Sequence, residues 1–159
     1  METFKIREKL PSEDIPWDLL LMADPSRKAI QEYLDNSEIY LAFIGDELVG
    51  VSVISQEQNN VAELKNIAVH EKHRRKGFGK RLIEHAIELA KSKNAIRIDV
   101  GTGNSSGLQL ALYQKCGFVI CGVEKGFFLK NYKEPIFENG IQCVDMIRLS
   151  FDLKNVIKR

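Results

Sequence analysis

Ile67-Ala68-Val69-His70-Glu71-Lys72-His73-Arg74-Arg75-Lys76-Gly77-Phe78-Gly79-Lys80-Arg81 is the stretch that decides the fold. An apolar strand ending at Val69 runs into a loop dense in cations, and Gly77 and Gly79 open a strongly amphipathic helix. Both features cost stability. Cations beside a helix N-terminus meet the positive end of the macrodipole, unfavourable by roughly 0.3–1 kcal/mol each. Glycine inside a helix costs about 0.5–1 kcal/mol relative to alanine. A sequence that accepts both penalties at one point is expected to receive an anion there. Unpaired backbone N–H groups at a helix start suit phosphate, and glycines let it approach the backbone closely. The competing reading is a solvated basic turn at a glycine-eased strand-to-helix corner.

Upstream of this stretch, Phe4-Lys5-Ile6-Arg7 alternates as a short strand does. Pro16 opens a helix over 17–23 that must close before Pro25, and Ser26 is a good N-cap for a second helix over 27–34. Strands over 39–44 and 48–54 flank the hairpin signal Gly45-Asp46-Glu47, and a polar turn at 56–60 leads into a strand over 61–69. Downstream, the helix from 79 to about 93 turns Leu82, Ile83, Ala86, Ile87 and Ala90 inward and Arg81, Glu84, His85 and Glu88 outward. A strand over 95–100, a helix over 108–116 stopped by Gly117, and a strand over 118–123 follow. A less regular segment with Pro135 and Asn139-Gly140 precedes a last strand from about 143 to 151. The order describes one mixed α/β domain spanning 1–159.

Composition narrows the function. A chain of 159 residues suffices for one domain with a real core and is short for two. A net charge of +1 argues against a general polyanion binder, so the cationic loop points to a small anionic ligand and not to nucleic acid. The start, Met1-Glu2-Thr3-Phe4-Lys5, lacks an apolar signal region, and no window approaches membrane-spanning length. Cys116, Cys121 and Cys143 have no metal-type spacing and read as reduced, mostly buried thiols of a cytoplasmic protein. His70, His73 and His85 likewise form no metal spacing and read as surface residues, so no metal is expected.

Segment 61–118 resembles the Gcn5-related N-acetyltransferase (GNAT) family. Arg74-Arg75-Lys76-Gly77-Phe78-Gly79 matches the family's glycine signature, and Ile67-Ala68-Val69-His70 matches the strand before it. Asn104, followed by Leu112-Tyr113-Gln114-Lys115-Cys116-Gly117-Phe118, matches its second landmark. The signature alone is a weak motif; two landmarks in order and in strand–turn–helix context are specific. The C-terminal tail resembles those of small uncharacterised bacterial members. The resemblance implies a strongly bent, mixed sheet of six to seven strands flanked by about four helices, with its fourth and fifth strands splayed apart. Acetyl-CoA would lie in that gap. Its pyrophosphate would rest on Arg74, Arg75, Lys76, Gly77, Phe78, Gly79 and Lys80, and its pantetheine arm along Ile67, Ala68 and Val69 as an added strand. The N–H near Ile67 would face the thioester oxygen, and Asn104 would bond the pantetheine amides.

Acetyl transfer to an amine needs a neutral amine, a stabilised oxyanion and a proton for the departing thiolate. The resemblance places Tyr113 as the acid; otherwise it is a helix-end tyrosine packed on the sheet with its hydroxyl in water. Glu63 and Asp99 are carboxylates at apolar strand positions and are the candidates for the base, with Glu63 preferred; either could instead hold a cationic amine or end a strand in solvent. Cys116 lacks a sequence sign of an activating partner, which disfavours a covalent intermediate. Two other functions compete. Gly101-Thr102-Gly103 is reminiscent of a methyltransferase S-adenosylmethionine loop, but Ser105 replaces the expected third glycine and only 56 residues follow. A catalytically silent CoA-binding sensor is the other. Asp14, Asp18 and Asp24 read as helix-start and loop solvation in preference to a site for a cationic acceptor. Phe127, Phe128, Tyr132, Ile136 and Phe137 form an apolar insertion that either covers the core or docks a second subunit as a homodimer.

Overall fold

Seven strands line up in the order 4–8, 37–44, 47–57, 61–69, 97–103, 146–152 and 119–124, and helices cover both faces of the resulting sheet. A computed structural model describes residues 3–154. In chain order the elements are β1 (Phe4–Glu8), α1 (Trp17–Ala23), α2 (Arg27–Leu34), β2 (Ser37–Ile44), β3 (Glu47–Glu57) and β4 (Val61–Val69). After them come α3 (Phe78–Ser92), β5 (Arg97–Gly103), α4 (Gly107–Lys115) and β6 (Val119–Glu124). The segment read as irregular contains a fifth helix, α5 (Phe127–Asn131), and a small hairpin, β7 (Phe137–Glu138) with β8 (Ile141–Gln142), ahead of β9 (Met146–Asp152).

Apolar periodicity accounts for the layers. Leu82, Ile83, Ala86, Ile87 and Ala90 are buried along one stripe of α3, as the helical spacing requires. With Leu64, Ile98, Val100, Tyr113 and Leu149 they form the core on one face. Leu19, Leu20, Ile30 and Leu34 of α1 and α2 pack on Leu41, Val51, Val53 and Ala68 on the other. Burying one such side chain contributes about 1.5–3 kcal/mol. His85 departs from the outward position expected of it. It is half-buried, its ring lies edge-on to Tyr40 at 5.0 Å, and its Nδ1 is shielded without a partner, because Tyr40 of β2 reaches up beside α3. Cys121 also departs, being exposed on β6, an edge strand.

The sheet changes character in the middle of β4. Opposite β3, Val53 pairs with Asn66 but Ile54 pairs with Leu64, so Lys65 is an extra residue, a β-bulge. At the same place β4 parts from β5. The two run parallel only from Val61↔Arg97 to Leu64↔Val100, although β4 continues to Val69 and β5 to Gly103. The bulge also resets which side chains face which way. Leu64 and Ile67 both pack toward α3, while Asn66 and Ala68 turn to α1 and α2.

Candidate functional site

Beyond Leu64, β4 keeps its partner on the β3 side, Ser52↔Ile67 and Gly50↔Val69, and has none on the β5 side. A sheet that opens internally leaves a row of main-chain donors and acceptors facing a gap, which an extended ligand can pair as an added strand. The splay expected between the fourth and fifth strands is therefore present, and it starts at the bulge.

The gap runs toward the N-terminus of α3. Gly77 is the N-cap with φ +84° and offers no side-chain cap, and Arg81 N–H makes the first intrahelical bond, to Gly77 O at 3.1 Å. The N–H groups of Phe78, Gly79 and Lys80 thus have no helical acceptor. Arg75 ahead of them sits at φ +64°, a region that costs a non-glycine residue of order 1 kcal/mol. Arg75 and Lys76 are exposed, and among the described residues no carboxylate lies within 4 Å of either. The other cations are engaged. Arg74 Nε folds back on Val69 O at 3.3 Å, Lys80 lies 3.9 Å from Glu84, and Arg81 stacks 4.4 Å over Phe4, which in turn stacks on Phe78. Free amides, a left-handed loop and two cations without a carboxylate partner among the described residues are what an anion cradle requires. Because nothing lies within 4 Å of a Cβ built on Gly77, its requirement is purely one of backbone angle. Gly77→Val should therefore weaken CoA binding in calorimetry about 5- to 150-fold, whereas Gly77→Asn, which tolerates φ > 0, should stay near wild type.

Tyr113 on α4 is 3% exposed, its ring 5.7 Å from Phe118, and its hydroxyl bonds the Gln109 side chain. Burial pushes the phenol up to about 12. Burial also raises the Cys116 thiol, which keeps it protonated.

Glu63 and Asp99 face each other across the last paired stretch of β4 and β5. Arg148 Nη1 donates to Glu63 Oε2 at 3.0 Å, Lys65 Nζ lies 3.2 Å from Oε1, and Arg148 also binds Glu124 at 2.7 Å. Asp99 Oδ1 accepts from Arg97 Nε at 2.9 Å and from Ser150 Oγ at 2.5 Å. Both strand carboxylates already hold a cation. Arg148, on β9, was not singled out from the sequence; its link to Glu63 spans 85 residues, and no local pattern signals it.

Asn104 is consumed within the protein. Its Oδ1 accepts from Val144 N at 2.7 Å and Asp145 N at 2.9 Å, and its Nδ2 donates to Gln142 O at 3.1 Å. It pins the β8–β9 connection beside the open end of β5. Gly101 and Gly103 serve close packing. A Cβ on Gly101 would come within 2.5 Å of Met146 Sδ, and one on Gly103 would meet Cys143 Sγ. With those side chains overhead, Gly101-Thr102-Gly103 is a covered strand end and not a loop open to a nucleotide. Phe128 and Tyr132 of the insertion pack together at 5.5 Å over this end, leaving Phe137 exposed. Among the described residues no group of three His, Cys, Asp or Glu side chains could hold a metal ion, and no helix is long and apolar enough to cross a membrane.

Comparison with known proteins agrees with this geometry. The family model described as Acetyltransferase (GNAT) family matches residues 6–118. The chain is 52% identical over 155 residues to the uncharacterized N-acetyltransferase YvbK of Bacillus subtilis, covering 96% of this chain and 100% of that protein. Its fold superposes with a TM-score of 0.93 on a GNAT family acetyltransferase from Elizabethkingia anophelis with acetyl-CoA bound, at 46% identity over 94% of this chain and 98% of that one. A structure described as IAA acetyltransferase from Bacillus cereus superposes with a TM-score of 0.90, at 46% identity over 95% and 100% of the two chains.

Proposed function

Because the chain belongs to the GNAT acetyltransferase family and is an acetyl-CoA-dependent N-acetyltransferase, we propose that it moves the acetyl group to a primary amine by direct attack in a ternary complex. The observation that carries this reading is one continuous arrangement: the unpaired β4 edge from Lys65 to Val69 leads to the amide-rich, cationic start of α3. The residues fit an extended carrier whose pantetheine arm leads to a diphosphate. Arg75, Lys76 and the N–H groups of Phe78, Gly79 and Lys80 hold the anion, and the backbone of Ile67, Ala68 and Val69 pairs with the pantetheine arm. The Ile67 N–H donates to the thioester oxygen as negative charge develops on it. Asn104 acts by fixing the 142–145 segment beside the gap. Tyr113 gives its proton to the leaving sulfur. Glu63, with Asp99 as the alternative, receives the proton that the amine loses, directly or through water. The nitrogen–carbonyl bond forms as the carbon–sulfur bond breaks, yielding an amide and a free thiol.

The reading extends to place and assembly. We propose a cytoplasmic protein, supported by three cysteines that are all free thiols. A homodimer is supported by exposed Val119, Ile120 and Val123 on the edge strand β6, with Phe137 and Ile141 on the β7–β8 hairpin.

Calorimetry with CoA and thiol release across an acceptor panel test the reaction. At 100 times its dissociation constant, acetyl-CoA should stabilise the fold by about 2.7 kcal/mol. That raises Tm by about 5–11 °C in a chain of this size. S-adenosylmethionine should leave it unmoved. The panel includes IAA, after which the similar Bacillus cereus acetyltransferase is named; release of thiol with IAA and with none of the amines would remove the amine from this reading. Glu63→Gln should lower kcat about 100- to 10,000-fold if Glu63 is the base, and an unchanged kcat transfers the role to Asp99.

A further inference from the structure

Two acceptors on the α1 and α2 side of the gap, the half-buried Asp24 carboxylate and the buried Asn66 carbonyl, lack what they need. Asp24, the C-cap of α1, accepts from Ser26 N–H at 3.1 Å and Tyr132 Oη at 2.9 Å through Oδ1, and from Tyr33 Oη at 3.3 Å through Oδ2. Every one of these donors is neutral. Among the described residues no Lys, Arg or His lies within 4 Å of it, in contrast to Glu63 and Asp99. Burial pushes the Asp24 carboxyl upward against those hydrogen bonds. Asn66 is 4% exposed and belongs to the same cluster. Its Nδ2 donates to Leu20 O at 3.1 Å and to Tyr33 Oη at 3.0 Å, while its Oδ1 is buried and has no hydrogen-bond partner among the described residues. An unsatisfied buried carbonyl and a carboxylate without a counter-charge are both expensive, and one kind of ligand satisfies both.

Position ties the cluster to the reaction. Asn66 sits between the bulge at Lys65 and Ile67, on the face opposite α3. Tyr132 arrives from the other side of the gap, behind α5, so that its bond to Asp24 bridges the opening. The Tyr132 ring that reaches the carboxylate packs on Phe128, 5.5 Å away.

We propose that Asp24 and the Asn66 side-chain carbonyl form the seat for the acceptor's protonated amino group, making the acceptor a cationic aliphatic amine. This rests on the transferase reading above. An ammonium supplies three donors and a positive charge, which a neutral arylamine lacks and an anion opposes. Asp24 and Asn66 position the cation; the base named above takes its proton before the nitrogen attacks.

The test compares propylamine, a cation at neutral pH, with aniline, which is uncharged there. In Asp24→Asn the ratio of kcat/KM for propylamine to that for aniline should fall about 10- to 100-fold, through the KM of propylamine, while CoA affinity by calorimetry stays within about 2-fold. A ratio that does not move while CoA still binds overturns the seat and leaves the transferase reading standing. A wild type that binds no CoA overturns the transferase reading first. Titrating N,N-dimethylpropylamine, a cation with one N–H, into the CoA-loaded wild type needs neither turnover nor a folded variant. Saturable heat supports the seat, and its absence overturns it.

Discussion

Replacing Tyr113 by Phe is expected to lower kcat about 100- to 10,000-fold, the range spanned by loss of a general acid, while leaving CoA affinity unchanged. The substitution removes one oxygen from a ring packed against Phe118 and otherwise keeps the core filled. Its effect on folding is confined to one hydrogen bond with Gln109, worth about 0.5–1.5 kcal/mol. The chemical effect is larger because the departing thiolate then has no positioned proton. Burial raises this phenol from 10.0 to about 12. The group therefore stays protonated through the physiological range, as a donor must. The same shift makes a stability statement: the buried neutral phenol contributes fully below pH 10, and its contribution is lost as pH rises from 10 toward 12. Stopped-flow thiol release and the tyrosinate absorbance of wild type against Tyr113→Phe measure both. Unchanged turnover would take Tyr113 out of the reaction and return it to the role of a packed core tyrosine.

Ile83→Ala should carry the largest cost in stability. Ile83 is fully buried on α3 beside Ala86, Ile98 and Leu149. Truncating such a residue costs about 2–5 kcal/mol, the sum of lost transfer energy and the cavity left behind. For a chain of this length that is a fall in Tm of roughly 4–20 °C. The site feels it too, because α3 carries the anion cradle on its first turn. A scan with and without CoA should show the ligand recovering part of the loss, since binding to the folded state adds to its stability. A drop below about 1 kcal/mol would mean that the helix repacks over the cavity, and that the cradle does not depend on tight seating of α3.

Local signals are the ones that could be read in advance. Trp17–Ala23 and Arg27–Leu34 are bounded by Pro16, Pro25 and Ser26, and Ser26 Oγ accepts from Ala29 N–H at 3.1 Å, as a cap should. The cradle was legible because cations and glycines accumulate there against local propensity. What stayed hidden depends on partners far away in sequence. The bulge at Lys65 is a property of the β3–β4 pair and carries no glycine to mark it. The helix α5 has five residues, too few for a period, and Asn139 and Gly140, both at positive φ, join strands of two residues each. Asp24 reads as a loop carboxylate in the sequence, whereas Tyr33 and Tyr132 converge on it from 9 and 108 positions away, and Asn66 bonds Tyr33. His85 was placed outward by its helix angle, which takes no account of a tall neighbour such as Tyr40.

The two halves of the sheet hang together by only four rungs, from Val61 to Leu64. Past that seam, a carrier lying along β4 would supply the ladder that the polypeptide leaves unfinished. Substrate and scaffold would in that sense be one structure.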